Sequence, residues 1–177
     1  MKKLSTRTLI LCAIFAALTA VFSQIAIPLP MVPINLAMLA VFIAGGVLGP
    51  WVGALSQVVY VLLGAVGLPV FSQFTGGLGI IVGPTGGYIA GYVVAALITG
   101  LTVQKWCSPL PLALGMVAGM AACYALGTAW FMVVTGSALG AALMTCAVPF
   151  LIGDAVKIAV AAALSPRLRR ELVLRHG

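Results

Sequence analysis

Between Thr8 and Pro166 only three side chains carry charge: Lys105, Asp154 and Lys157. A water-soluble globule cannot be built from such a stretch, because its surface would have to be covered with apolar side chains. The composition agrees, with 6% charged and 63% hydrophobic residues, where a soluble domain carries about 25% charged residues. Disorder needs low hydrophobicity and high charge, and DNA readout needs a basic face, so neither class fits. What remains is an integral membrane protein. Barrel strands would show alternating polarity over about ten residues. The apolar runs here are long and unbroken, so the spans are helices. At about 20 residues per span, the 177 residues allow roughly six.

The other charges sit at the ends. Lys2, Lys3 and Arg7 precede the first apolar run, and Arg167, Arg169, Arg170, Glu171 and Arg175 follow the last. In a membrane protein the net charge of +7 reads as cytoplasmic flanks touching anionic head groups, not as a nucleic-acid surface. The basic start and the apolar run Thr8 to Phe22 imitate a signal peptide. No small-residue cleavage site precedes a polar region, so the run reads as the first span. Cys12, Cys107, Cys123 and Cys146 form no CxxC pair, and the one histidine is His176. This spacing supports neither a metal site nor a disulfide framework.

The spans are expected at 8–25, 35–48, 51–66, 84–103, 110–134 and 139–164. Pro28, Pro30 and Pro33 end the first, Gly49-Pro50 ends the second, and Pro149 bends the last. The expected fold is an all-α, compact six-transmembrane-helix bundle, a single integral domain over 1–177, with a long ordered loop between helices 3 and 4. An even count puts both basic termini and the Lys105 linker on the cytoplasmic side, so eight of the nine basic residues lie inside. No tandem or inverted repeat is visible.

Small residues recur every four positions: Ala13 and Ala17, Ala16 and Ala20, then Gly83, Gly87, Gly91 and Ala95, then Gly115 and Gly119. Such stripes let helices approach closely in lipid. They serve either packing within the bundle or docking to another membrane protein, and span 1 is the better docking candidate. Asp154 and Lys157 are three residues apart and share one helix face. A charge at bilayer depth costs about 2.5–3.5 kcal/mol and by default faces the bundle interior as a functional site. Asp accepts from ligand N–H groups and Lys donates to a ligand oxygen. The pair would also serve as a proton relay, or as a packing device only. The second candidate constellation is the glycine-rich segment 67–87, where Phe71, Phe74 and Tyr88 offer apolar walls. Ser72, Gln73, Thr75 and Thr85 offer hydrogen bonds, and glycines such as Gly77 and Gly87 allow close backbone approach. There is no Walker motif, no Rossmann spacing and no Ser/His/Asp set, so the usual equipment of an ATPase or hydrolase is absent.

The blocks Val32-Pro33-Ile34-Asn35-Leu36, Leu48-Gly49-Pro50 and Tyr60 to Phe71 resemble the BioY family. So do Gly83-Pro84-Thr85-Gly86-Gly87-Tyr88 and Pro149-Phe150-Leu151-Ile152-Gly153-Asp154-Ala155-Val156-Lys157. The matches run in order along most of the chain. The resemblance implies a biotin-binding S component of an energy-coupling factor transporter in the cell membrane, not an enzyme. It implies biotin held from the outer side near the third loop and the last helix, where the candidate contacts read from the residues are Asp154, Lys157, Tyr88, Phe71, Gln73, Gly77, Thr85 and Gly87. No cofactor is implied, since biotin is the transported substrate. The implied partners are a transmembrane coupling protein, docked on Ala13, Ala16, Ala17 and Ala20, and a pair of cytoplasmic ATPases that alone bind ATP. Assembly with copies of itself is the other arrangement. Two positions depart from the family pattern. Ala37 stands where a glutamine is often found, which takes a polar ligand contact out of the expected site. Trp51 stands where a basic residue is often found, which removes a cytoplasmic positive charge. A stand-alone proton-coupled carrier or channel using Asp154 and Lys157 is the competing reading, and a membrane scaffold the third.

Overall fold

The computed structural model describes residues 5–28 and 32–174, without the side chain of Leu174. The expectations resting on Lys2, Lys3, Pro30, Arg175 and His176 fall outside these residues. The chain is a helical bundle in which four helices have the length and composition to cross a membrane: 6–24, 86–105, 109–135 and the bent 139–173. Two further apolar helices, Ala37–Leu48 and Pro50–Ala65, are shorter.

The first helix, α1 (Thr6–Gln24), is capped by Ser5, whose Oγ accepts from the Thr8 N–H at 3.2 Å. The prolines that follow forbid a helix, and the chain forms a two-residue antiparallel ribbon, with β1 (Ala26–Ile27) paired to β2 (Ile34–Asn35). Asn35 Oδ1 then accepts from the Ala37 N–H at 3.0 Å and opens α2 (Ala37–Leu48). This helix is apolar on every face. Ten of its residues are buried, as expected of a helix wrapped by others. It packs against α1, α3, α5 and α8, so it forms the bundle centre. Gly49, at φ +82°, reverses the chain into Pro50, the first residue of α3 (Pro50–Ala65).

The segment between α3 and the next long helix is not a featureless loop. It contains a 3-10 turn at Ser72–Phe74 and a five-residue helix, α4 (Leu78–Val82). Trp130 Nε1 donates to the Gly83 carbonyl at 3.0 Å and fastens its far end. The helix expected to begin at Pro84 begins two residues later, as α5 (Gly86–Lys105). Next comes α6 (Pro109–Thr135), with proline again at the start. α5 packs most extensively on α6. The small-residue stripe makes this possible: a Cβ on Gly87 would lie 2.4 Å from Trp130 Cβ, and one on Gly91 would lie 2.7 Å from Cys123 Sγ.

The last expected span is two helices, α7 (Leu139–Cys146) and α8 (Leu151–Arg169), joined by a 3-10 turn at Val148–Phe150. Pro149 has no N–H to give, and its ring clashes with the carbonyl one turn back, so the helix breaks there. Among the described residues, Arg7, Lys105 and Arg169 gather at one end of the bundle. There Arg169 donates to the Val47 carbonyl at 2.7 Å and Arg7 to the Leu172 carbonyl. Lys105 lies 4.5 Å above the Trp106 ring at the same end. Trp51, at the start of α3, is 74% exposed.

Candidate binding cavity

At the end of the bundle away from those basic groups lies a cavity of about 230 Å³. Its walls come from residues 32–35, α2, α3, the 71–75 turn, α4, α5, α6, the end of α7 with the 148–150 turn, and α8. Asp154 and Lys157 stand on α8 and are 2% and 6% exposed, the only charged residues buried among those described. Lys157 Nζ lies 2.7 Å from Asp154 Oδ1. The other carboxylate oxygen, Oδ2, accepts from the Tyr124 hydroxyl of α6. Each charge is therefore satisfied from a fixed direction, which is the condition for holding charge at this depth. A carboxylate has about four lone-pair sites and an ammonium three protons, so both groups keep capacity for a ligand.

Aromatic rings form most of the remaining wall. The chain has four tyrosines, Tyr60, Tyr88, Tyr92 and Tyr124, and all four line the cavity. Tyr60 meets Phe71 edge-on at 5.5 Å and lies 6.3 Å from Tyr92. Tyr88 meets Tyr124 edge-on at 6.4 Å, and its hydroxyl shares a 3.0 Å hydrogen bond with Thr128. Two rings occupy niches that only glycine leaves open. A Cβ on Gly64 would fall 2.0 Å from Phe71 Cζ, and one on Gly127 would fall 2.2 Å from Tyr88 Cδ1. Ser72 also lines this space, with its Oγ buried.

Of the residues expected from sequence to form the site, Asp154, Lys157, Tyr88, Phe71, Gln73 and Thr85 line one cavity. Gly77 and Gly87 do not. Gly77 takes φ +97° and its N–H donates to the Gly64 carbonyl at 2.6 Å, which closes the loop onto α3. Gly87 carries the α5–α6 contact described above. Phe74, offered as a wall, is 72% exposed. Ala37, one of the departures from the family pattern, is fully buried at the start of α2. Sequence reasoning missed Tyr60, Tyr92, Tyr124 and Asn35, all on the wall. Tyr92 follows Tyr88 by one helical turn, so a shared face was readable there.

The four docking alanines divide between two faces of α1. Ala13 and Ala17 are exposed, Ala16 is buried and Ala20 is half-buried. Ala16 and Ala20 pack in a cluster with Tyr60, Phe71 and Ile89. Among the described residues no group of three His, Cys, Asp or Glu is placed to hold a metal ion.

The BioY family model matches residues 1–173. The chain is 41% identical over 164 residues to the "Biotin transporter BioY" of Thermotoga maritima, covering 93% of this chain and 96% of that one. It is also 41% identical over 168 residues to the Rhodobacter capsulatus protein of the same name, covering 87% and 88%. This chain belongs to the BioY family. Its fold is similar to that of a crystal structure of the S-component for biotin from an ECF-type ABC transporter. The TM-score is 0.85 at 24% identity, and 95% of each chain is covered. The segments that build the cavity here, from Val32 to Lys157, lie within the part of the chain the family matches.

Proposed function

We propose that this chain is the biotin-binding membrane subunit of an energy-coupling factor transporter, taking up biotin from the outer side. The observation that carries the reading is the buried Asp154–Lys157 pair, with Tyr124 bonded to it, on the wall of an aromatic cavity. Biotin has a ureido ring with two N–H donors and one carbonyl acceptor, an apolar thiophane ring and an apolar valeryl chain ending in a carboxylate. Asp154 takes a ureido N–H, and Lys157 donates to a ligand oxygen. Phe71, Tyr88 and Tyr92 cover the apolar part.

The basic residues support the orientation. Their end is cytoplasmic by the positive-inside rule, so the cavity opens outward, in the cell membrane. The six crossings are α1, α2, α3, α5, α6 and the α7–α8 pair, with both termini inside. α2 is only about 18 Å long at 1.5 Å per residue, against about 30 Å of hydrocarbon. Its neighbours enclose it, so its ends need not reach the lipid head groups. The exposed Ala13 and Ala17 on α1 give a close-approach face for a transmembrane coupling protein. A pair of cytoplasmic ATPases supplies the ATP-binding sites that this chain lacks.

The test is equilibrium binding of labelled biotin to the purified full chain in detergent, with no partner present. One saturable site is expected, weakened by Asp154→Asn. No saturable binding by the wild-type protein, or an unchanged affinity in Asp154→Asn, overturns the reading.

A further inference from the structure

Ser23 and Gln24, the last two residues of α1, line no part of the cavity, yet both reach the segment that does. Ser23 Oγ lies 2.6 Å from the Val70 carbonyl oxygen. Gln24 Nε2 lies 3.0 Å from the Phe71 carbonyl oxygen and 3.2 Å from that of Val70. On its other side, Gln24 Oε1 accepts from the Phe74 N–H at 2.8 Å. The amide of Gln24 therefore bridges a carbonyl and an N–H three residues apart, as a neighbouring strand's peptide group would. Between the two attachment points lie Ser72 and Gln73, both on the cavity wall.

The clamped conformation is one the segment does not favour by itself. Gln73 and Phe74 are consecutive non-glycine residues at φ 61° and 56°, where an L side chain crowds its own carbonyl. Such conformations persist only when their surroundings over-determine them. From within, the turn is held by the Phe71 N–H on the Thr75 carbonyl at 2.9 Å and by Thr75 Oγ1 on the Ser72 carbonyl at 2.8 Å. The external clamp comes from α1.

We propose that Ser23 and Gln24 are positioning residues for ligand retention: they latch segment 70–74 over the cavity and set the rate at which the ligand leaves. This rests on reading the cavity as the biotin site. With the latch removed, the positive-φ pair relaxes, Phe71 leaves its niche on Gly64, and the wall opens on that side.

The test uses the full chain in lipid nanodiscs, with Ser23→Ala, Gln24→Met, Gln24→Glu and the pair Ser23→Ala/Gln24→Met. Gln24→Glu keeps the acceptor for the Phe74 N–H and loses both donors, so it falls between wild type and Gln24→Met. The first measurement is hydrogen exchange without ligand. Exchange is expected to rise in peptides covering 68–76 while those of α2 and α5 stay as in wild type. The second is the release of bound labelled biotin into excess unlabelled biotin. Release is expected to accelerate about tenfold in Gln24→Met, the effect of losing one net hydrogen bond, and more in the pair. Association accelerates too, so affinity falls less than release speeds up.

A purely structural role would reduce the fraction of active protein and leave the release rate of that fraction unchanged. Release in the pair within twofold of wild type overturns the latch, and so does unchanged exchange over 68–76. If the wild-type protein binds no biotin, the reading of the cavity fails. The exchange measurement then decides the latch alone: a selective rise over 68–76 supports it and no rise overturns it.

Discussion

Gly64→Ala is the sharpest test of how the cavity wall is seated. The added Cβ would lie 2.0 Å from Phe71 Cζ and 2.3 and 2.5 Å from the neighbouring ring carbons. Carbon atoms rest about 3.5–4.0 Å apart, so the ring must retreat by about 1.5 Å. Its backbone cannot follow, because the Phe71 carbonyl is held by Gln24 and its N–H by Thr75. The ring therefore turns toward the open space beside it, the cavity of about 230 Å³, and its edge-on contact with Tyr60 at 5.5 Å is lost. Overpacking of this kind costs about 1–3 kcal/mol, and the aromatic contact adds about 0.5–1.5 kcal/mol. At roughly 2–4 °C per kcal/mol for a chain of this size, the apparent melting temperature of the purified protein drops by several degrees. Biotin affinity falls about tenfold or more, equivalent to about 1.4 kcal/mol, because the displaced ring occupies ligand space. Phe71→Ala in the same chain vacates the niche, so the double variant is more stable than the sum of the singles, by about 0.5–3 kcal/mol. If Gly64→Ala melts with wild type and binds biotin as tightly, the ring is not seated on Gly64 and the wall is built differently.

Three further outcomes follow from the same geometry. Asp154→Leu or Lys157→Leu alone strands a buried charge and destabilises by about 3–5 kcal/mol, whereas the double leucine variant recovers most of that loss; thermal unfolding of the three proteins checks this, and a double variant less stable than both singles refutes it. Gly127→Ala places a Cβ 2.2 Å from Tyr88 Cδ1 and breaks the Tyr88–Thr128 hydrogen bond, so biotin affinity falls about tenfold or more in the equilibrium binding assay. Ala13→Leu/Ala17→Leu leaves biotin binding as in wild type but abolishes co-purification with the coupling protein. Ala16→Leu, aimed at the buried Tyr60 cluster, instead lowers the melting temperature, and equal effects from both would remove the distinction between the two faces of α1.

What the sequence made legible was governed by large local energies. A charge at bilayer depth is costly enough that Asp154 and Lys157 stand out against everything around them, and their spacing of three already implies the pair. Prolines and Gly49-Pro50 mark helix ends because the backbone itself forbids continuation. The rest depended on which neighbour occupies the space beside a residue. Gly77 and Gly87 have the look of ligand-approach glycines, but an absent Cβ does not say why it is absent: Gly77 has open space there and takes φ +97° to close the loop onto α3, whereas Trp130 fills the place beside Gly87. The alanine pairs 13/17 and 16/20 have the same spacing, and only the packing of α1 on α3 separates an exposed face from a buried one. Tyr124 was missed because its role is set by α8, thirty residues further along the chain.

The glycines and the tyrosines are therefore one device. Between helices in lipid the hydrophobic effect gives no drive to close a gap, and dispersion favours filling it. An open cavity in such a bundle lasts only if the side chains around it are prevented from collapsing inward. Phe71 and Tyr88 are held back by seating each ring against the backbone of a glycine, Gly64 and Gly127. Tyr124 is held by its hydroxyl on Asp154, and Asp154 by Lys157. The wall that faces the ligand is thus fixed from behind at each of these points. The backbone of the 70–74 turn is held differently, by side chains at the tip of α1, although the Phe71 ring it carries sits on Gly64. A wall with one releasable side and several pinned ones keeps its shape while the ligand passes.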